Sequence, residues 1–170
     1  YKHGRIRRQY QYHQVQEEWT VDLKNSETIQ NLMRAFAGES QARNRYTFAA
    51  EQCRREGMQS IGGIFLYTAD QELAHARRFY ELLKPETGTT IFIDGSYPVD
   101  EPGSVQDLLQ AAAHNENEEA VDVYPAFARI AKEEGFYEAA STFMQIAEIE
   151  AMHRYRFQKL AELLKDHTFF

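Results

Sequence analysis

The sequence predicts an all-α protein of four long helices, paired into two hairpins and joined by one long crossover between helices 2 and 3. Three observations carry that expectation. Apolar residues recur at the spacing of a helix face over four long stretches. Glycine and proline punctuate those stretches where helices end. The second half of the chain repeats the first. At 170 residues the chain has room for one domain with a real core. Its 43% apolar and 26% charged residues are those of a soluble globular protein.

Residues 1–24, "YKHGRIRRQYQYHQVQEEWTVDLK", lack a helical stripe and are read as an N-terminal extension that pairs with a partner subunit. The chain opens on Tyr1 rather than Met, as a fragment or processed form would. Residues 25–170 are assigned to the bundle. Ser26 is placed to cap the first helix, which Gly57 ends. The second runs from about Gln59 to Leu83, where Lys84-Pro85 stops it. A crossover rich in Gly and Pro follows, with "TTIFI" as a short extended piece. Ser104 and Asp107 resemble a capping box for the third helix, which Gly135 ends; the fourth reaches about Lys165. Two helical hairpins joined by one long crossover define the ferritin-like four-helix bundle.

The repeat is exact in register. Sliding the chain by 78 residues lays "EGMQSIGGIFLYTADQELAHARRFYEL" on "EGFYEAASTFMQIAEIEAMHRYRFQKL" with no gap and nine identities in 27 positions. Among them are Glu72/Glu150 and His75/His153, so both copies keep a Glu-x-x-His pair, and Tyr46 and Tyr124 stand 78 apart as well.

Each helix stripe is apolar at its ends and acidic in its middle. On the first it runs Ile29, Leu32, Phe36, Glu39, Arg43, Tyr46, Ala50, Cys53; on the second Ile61, Phe65, Thr68, Glu72, His75, Phe79, Leu82. The third gives Leu109, Ala112, Glu116, Glu119, Val123, Ala126, Ile130, and the fourth Ala139, Phe143, Ile146, Glu150, His153, Phe157, Leu160, Leu164. Five carboxylates and two imidazoles thus converge on one interior zone. Unpaired buried carboxylates are strongly unfavourable, and grouped ones repel. Arg43 is the one cation on these stripes, too little to offset five negative charges. Two divalent cations would nearly balance them, with Arg43 or a bridging oxygen making up the remainder. Carboxylate and imidazole donors without thiolate suit iron or manganese, and zinc less distinctively. One Glu-x-x-His on a helix is a weak signal; two in register facing two further acidic helices is the dinuclear carboxylate pattern of such bundles. Glu39 precedes Tyr46 by seven residues but Glu116 precedes Tyr124 by eight, so a π-bulge is expected in the third helix, and Pro125 should kink it.

Composition also excludes some functions. A net charge of −7 argues against nucleic acid as main partner and offers no basic face to a membrane. No apolar run approaches the roughly 20 residues that cross a bilayer. No secretory signal pattern opens the sequence, and Cys53 is the single cysteine, so the expected setting is reducing and cytoplasmic.

Four segments carry a family resemblance: "AFAGESQARNRY" (Ala35–Tyr46), "TADQELAHARRF" (Thr68–Phe79), "YPAFARIAKEEG" (Tyr124–Gly135) and "EIEAMHRYRF" (Glu148–Phe157). Together they resemble rubrerythrin over about Asn25 to Leu164. The resemblance implies a di-iron peroxidase that reduces hydrogen peroxide to water, its two irons joined by an oxide or hydroxide when oxidised, with manganese or zinc as substitutes. Carried over by motif, Glu39 and Glu116 would be terminal ligands, Glu72 and Glu150 bridging ligands, and His153 would complete the second site. Glu119 and His75 would alternate on the first iron, carboxylate when oxidised and imidazole when reduced. Tyr46 and Tyr124 would donate hydrogen bonds that orient ligand carboxylates. An antiparallel homodimer, sometimes with exchanged hairpins, is also implied. Typical members append a rubredoxin-like domain with iron on four cysteines, which a sequence with Cys53 alone does not contain. Either that domain lies outside this sequence or an external donor, such as a rubredoxin or its reductase, supplies electrons. Position 42 is Ala rather than a second acidic residue, unlike the more symmetric relatives. The competing readings are a ferroxidase or iron-handling protein of ferritin type, and a helical interaction module with a structural metal site.

Overall fold

The computed structural model describes residues 22–101 and 103–166. Among them the regular structure is entirely helical: α1 Glu27–Arg55, α2 Gln59–Leu82, α3 Val105–Glu118, a π-helical segment Glu119–Val123, α4 Tyr124–Glu133 and α5 Tyr137–Lys165. α3, the π segment and α4 follow one another without a break, so the bundle has four arms. Short 3₁₀ turns sit at Leu23–Asn25 and Lys84–Glu86. Apart from Asp22–Lys24, the extension assigned to residues 1–24 lies outside the described residues.

Local chemistry sets the helix ends. Ser26 Oγ accepts from the Ile29 amide at 3.1 Å, and Ser104 Oγ accepts from the Asp107 amide at 3.1 Å. Caps of this kind stabilise a helix by about 1 kcal/mol. Gly57 and Gly135 adopt φ of 79° and 89°, the left-handed conformation that lets the chain reverse after α1 and α4. Their followers close the same loop in both hairpins: Met58 N donates to Cys53 O at 2.8 Å and Phe136 N to Ala131 O at 2.7 Å.

Two findings concern the connecting chain and the third arm. Thr89–Ile93, expected as a short extended piece, pairs with no strand among the described residues; an all-helical surrounding offers no ladder to take up its amides. The crossover is instead tied down by side chains. Arg34 pairs with Asp94 at 2.6 Å, the Tyr97 hydroxyl donates to Arg34 O at 2.9 Å, and Asp100 accepts from Arg45 and Asn115, each at 2.7 Å. In the third arm the stripe is as read up to Glu116, but beyond the π segment Tyr124, Ala128 and Ala131 face inward while Ala126 is exposed. One extra residue per turn rotates everything after it by about 100° around the axis. Pro125 directly follows the π segment, where the regular i→i−4 ladder is already interrupted and its missing amide is accommodated.

The core is divided. One apolar cluster gathers Tyr46, Phe65, Leu109, Phe157 and Leu160; the other gathers Leu32, Phe79, Tyr124, Phe143 and Ile146. Tyr46 packs on Phe65 and Phe157 at 5.8 and 5.2 Å, and its repeat partner Tyr124 packs on Phe143 and Phe79 at 6.0 and 5.4 Å. Along every arm the acidic residues fall between the two clusters. The apolar ends therefore fix a polar middle from both sides.

Candidate metal centre

Six ionisable side chains share that middle. Glu39, Glu72, Glu116, Glu150 and His153 are at most 1% exposed, and His75 is 7% exposed. Helix spacing brings each Glu-x-x-His pair onto one face, and the antiparallel packing turns the faces together. Two groups result, each with ligand atoms within 4.8 Å of one another: Glu39, Glu72, His75 and Glu150, and Glu72, Glu116, Glu150 and His153. Glu72 and Glu150 belong to both.

Their oxygens divide between the groups. Glu72 sets Oε2 3.1 Å from His75 Nδ1 and Oε1 3.0 Å from His153 Nδ1. Glu150 sets Oε1 2.8 Å from His75 Nδ1 and Oε2 2.7 Å from His153 Nδ1. Glu39 Oε2 and Glu116 Oε2 lie farther from the same nitrogens, at 3.8 and 3.6 Å. The other oxygen of each is taken by a tyrosine from the opposite hairpin: Tyr46 donates to Glu116 Oε1, and Tyr124 to Glu39 Oε1. Burial, followed by the carboxylate charges nearby, pushes both phenols well above their usual range, so both stay protonated donors.

What remains is a set of buried atoms crowded on two nitrogens. Glu39 Oε2, Glu72 Oε1, Glu116 Oε2 and both oxygens of Glu150 share only Nδ1 of His75 and Nδ1 of His153 as partners among the described residues. Arg43, considered above as a counter-charge, forms no ion pair with them, and its Nε is itself buried without a partner. The cluster therefore takes up protons. Burial and then Glu150 push Glu39 well up; burial and then Glu72 do the same to Glu116. Burial alone would lower His153, yet hydrogen bonding to Glu116, Glu150 and Glu72 pushes it up to about 12. Burial would likewise raise Glu72, but the two imidazoles hold it down to about 2. Carboxylate oxygens converging from four arms on two shared imidazoles, with no lysine or arginine paired to them among the described residues, fit a pair of metal ions.

The remaining expected residue, Glu119, is not in either group. It opens the π segment, is only half-buried, and lines a cavity of about 210 Å³ with Gly38, Tyr97, Glu118, Tyr124 and Phe127. Burial, followed by the Glu39 charge, pushes its carboxyl well up. The sequence reading missed Gln71, which accepts from His153 Nε2 at 3.2 Å. The signal was available: Gln71 adjoins Glu72, and its repeat counterpart is the apolar Ile149.

Fold and site together define a ferritin-like helical protein with a candidate dinuclear carboxylate-histidine centre. The rubrerythrin family model matches residues 30–161, and the chain belongs to that family. It is 46% identical over 153 residues to a rubrerythrin of Porphyromonas gingivalis, covering 90% of this chain and 75% of that one. Identity is 41% over 148 residues with a rubrerythrin of Nitratidesulfovibrio vulgaris, covering 87% and 76%. Among solved structures, nigerythrin in a partially reduced state matches with a TM-score of 0.73 at 29% identity, over 94% of this chain and 81% of that one. Symerythrin from Cyanophora paradoxa shares the fold, with a TM-score of 0.67 at 23% identity over 81% and 84%. No helix among the described residues is long and apolar enough to cross a membrane.

Proposed function

We propose that this chain is a non-haem di-iron peroxidase, reducing hydrogen peroxide to two waters with two electrons from an external donor such as a rubredoxin or its reductase. The observation that carries the reading is the division of Glu72 and Glu150, each turning one oxygen to each group. That arrangement suits ions held side by side in one redox unit. In this reading Glu39 and Glu116 would be terminal ligands, Glu72 and Glu150 would be shared by both ions, and His153 would complete the second site. His75 and Glu119 would alternate at the first. His75 within the first group and Glu119 at the cavity wall correspond to the imidazole-bound alternative. The donor set suits iron or manganese, and iron is favoured by the relative nigerythrin, one of whose solved structures is a fully reduced, all-ferrous state.

Two ferrous ions, when bound, supply the pair of electrons that cleaves the O–O bond. The chain does the rest. The two apolar clusters exclude bulk water from the middle of the bundle. Tyr46 and Tyr124 hold the terminal carboxylates so that only one oxygen of each is free to bind. Glu119, between the cavity and the first group, is placed to carry one of the two protons that the reduction consumes. The working unit is a homodimer in this reading, and Leu66, Tyr67, Leu73 and Tyr80 give α2 an exposed apolar face for it.

Anaerobic stopped-flow on the iron-loaded, reduced protein tests the reaction. Oxidation by peroxide should far outpace oxidation by dioxygen. The reverse order would overturn the peroxidase and return the ferroxidase reading.

A further inference from the structure

The two histidines of the centre are related by the internal repeat, yet their surroundings are not. His153 is fully buried and its Nε2 meets Gln71 Oε1 at 3.2 Å. The same oxygen accepts from Arg156 Nη1 at 3.1 Å, and Arg156 Nη1 also donates to Thr68 Oγ1 at 3.1 Å. An arginine has donors only, so the group facing it must be the amide oxygen rather than the amide nitrogen of Gln71. His153 Nε2 facing that oxygen must then carry a hydrogen, so Nδ1 is the nitrogen that would give its lone pair to a metal ion once the proton it shares with the carboxylates is displaced. The tautomer and the ring orientation of His153 are fixed by one chain of hydrogen bonds.

That chain of hydrogen bonds is not repeated at His75. The repeat replaces Gln71 by Ile149 and Thr68 by Ile146. Arg78, the counterpart of Arg156, is retained but turns outward to Glu138 at 2.8 Å and Glu81 at 3.8 Å. The hydrogen bonds and ion pairs of His75 run through Nδ1 alone, to the carboxylates of the centre. Among the described residues no hydrogen bond or ion pair holds its ring from behind.

We infer that Gln71, braced by Arg156 and Thr68, is the positioning residue that fixes the ring orientation and tautomer of His153, and that Ile149 leaves His75 without such a brace. The two copies of the motif are thus divided into a braced and an unbraced imidazole by side chains outside the two ligand groups. This rests on the metal-centre reading above and adds which residue decides the asymmetry.

Zinc, which is diamagnetic and does not change oxidation state, provides the test. In the full chain loaded with two zinc ions, ¹⁵N-edited NMR should show one imidazole Nε2–H protected from solvent exchange, that of His153. Gln71→Leu should abolish the protection and weaken zinc binding at one of the two sites by about 10- to 100-fold, the usual effect of removing such a partner. Gln71→Glu keeps an acceptor oxygen at the same reach and should restore the protection. Ile149→Gln should create a second protected imidazole hydrogen, at His75; it carries the test alone if Gln71→Leu does not fold. Unchanged protection in Gln71→Leu, or equal loss at both histidines, overturns the inference. Protein that does not take up two zinc ions sinks the metal centre itself. Two bound ions with the expected Gln71 dependence, but no preference for peroxide when iron-loaded, would remove the peroxidase reading and leave this one standing.

Discussion

The first hairpin carries α1 and α2 past the centre as two uninterrupted helices, whereas the second reaches the same point through an arm with one residue too many. Where the hairpins agree, the agreement is reciprocal. Each tyrosine donates to the other hairpin's glutamate, and each Glu-x-x-His glutamate faces both imidazoles. Where they differ, the difference is confined to a few positions around the same atoms. Ala42, three residues after Glu39, is buried, while Glu119, three after Glu116, sits half-buried at a cavity. Gln71 braces one imidazole and Ile149 leaves the other unbraced. The repeat lays down a near-symmetric set of candidate ligands; these substitutions give it an inside and an outside, a braced imidazole and an unbraced one.

The strongest test of the shared part is removal of a shared carboxylate. Glu72→Ala and Glu150→Ala should behave alike, each costing the protein both metal ions, because each takes an oxygen from both groups at once. Glu39→Ala and Glu116→Ala should each weaken mainly one. Metal analysis after dialysis, or calorimetric titration with ferrous iron under nitrogen, would read the stoichiometry. If Glu72→Ala retained two ions the equivalence of the hairpins would be wrong.

Acidity is the next lever. In the metal-free chain the carboxylates hold both imidazoles in their protonated form well above neutral pH, despite the opposing effect of burial. Metal must displace those protons, so affinity should fall as the pH is lowered, by about tenfold per unit for each proton displaced. The two imidazolium protons alone give about a hundredfold per unit, and protons held by the raised carboxyls of Glu39 and Glu116 steepen the slope further. Competition with a chelator between pH 8 and 5 measures the slope, and a flat profile would mean that the imidazoles are not where metal binds.

A smaller effect sharpens the difference between Ala42 and Glu119. Ala42→Glu would make the first hairpin match the second in composition, but position 42 is 2% exposed and α1 has no π turn to carry a carboxylate to the wall. The metal-free variant should lose about 2–4 kcal/mol in denaturant unfolding, the cost of a buried carboxyl without partners. Loading metal should recover part of that loss. An unchanged midpoint would show that the middle of the first hairpin has room to spare.

These contrasts also show what the sequence made legible. Periodicity placed Glu39, Glu72, Glu116, Glu150 and both histidines on inward faces because regular helices preserve angle from end to end, and the structure buries all six. The counting that set Tyr46 seven residues after Glu39 and Tyr124 eight after Glu116 located the π segment from spacing alone. The same extra residue spoiled the stripe beyond it, so Ala126 and Ile130 were read inward where Tyr124, Ala128 and Ala131 belong. A period assumed constant cannot register a local rotation. The path of the crossover was not legible, since it is set by Arg34 and Arg45 reaching residues 60 and 55 positions away. Nor was the brace behind His153, whose members Thr68 and Arg156 lie 88 residues apart.

The smallest predicted effect comes from a residue the repeat preserves while its role diverges. Glu134 lies just past α4, yet its carboxylate accepts from the Glu27 and Thr28 amides, each at 2.9 Å, and from the Thr28 hydroxyl. It thereby satisfies free amides at the start of α1 and sets a negative charge on that helix's positive end. Its repeat partner Glu56 instead accepts from the Gln52 side chain four residues back, a contact within one exposed helix end. Burial opposes ionisation of Glu134, but the hydrogen bonds from Thr28 and Glu27 outweigh it and hold the carboxyl below its usual value. A depressed value in the folded state means stability that is complete above the ordinary carboxylate range and fades as the pH falls through the lowered one. Glu134→Gln should therefore cost about 0.5–1 kcal/mol at neutral pH, a capping loss reduced by solvent screening at this half-exposed site. The difference from wild type should shrink below about pH 4 as the native carboxyl is itself protonated. Glu56→Gln should leave the unfolding midpoint unmoved at either pH. Equal losses from the two would place the effect in the repeat itself rather than in the cap that one copy has acquired across hairpins.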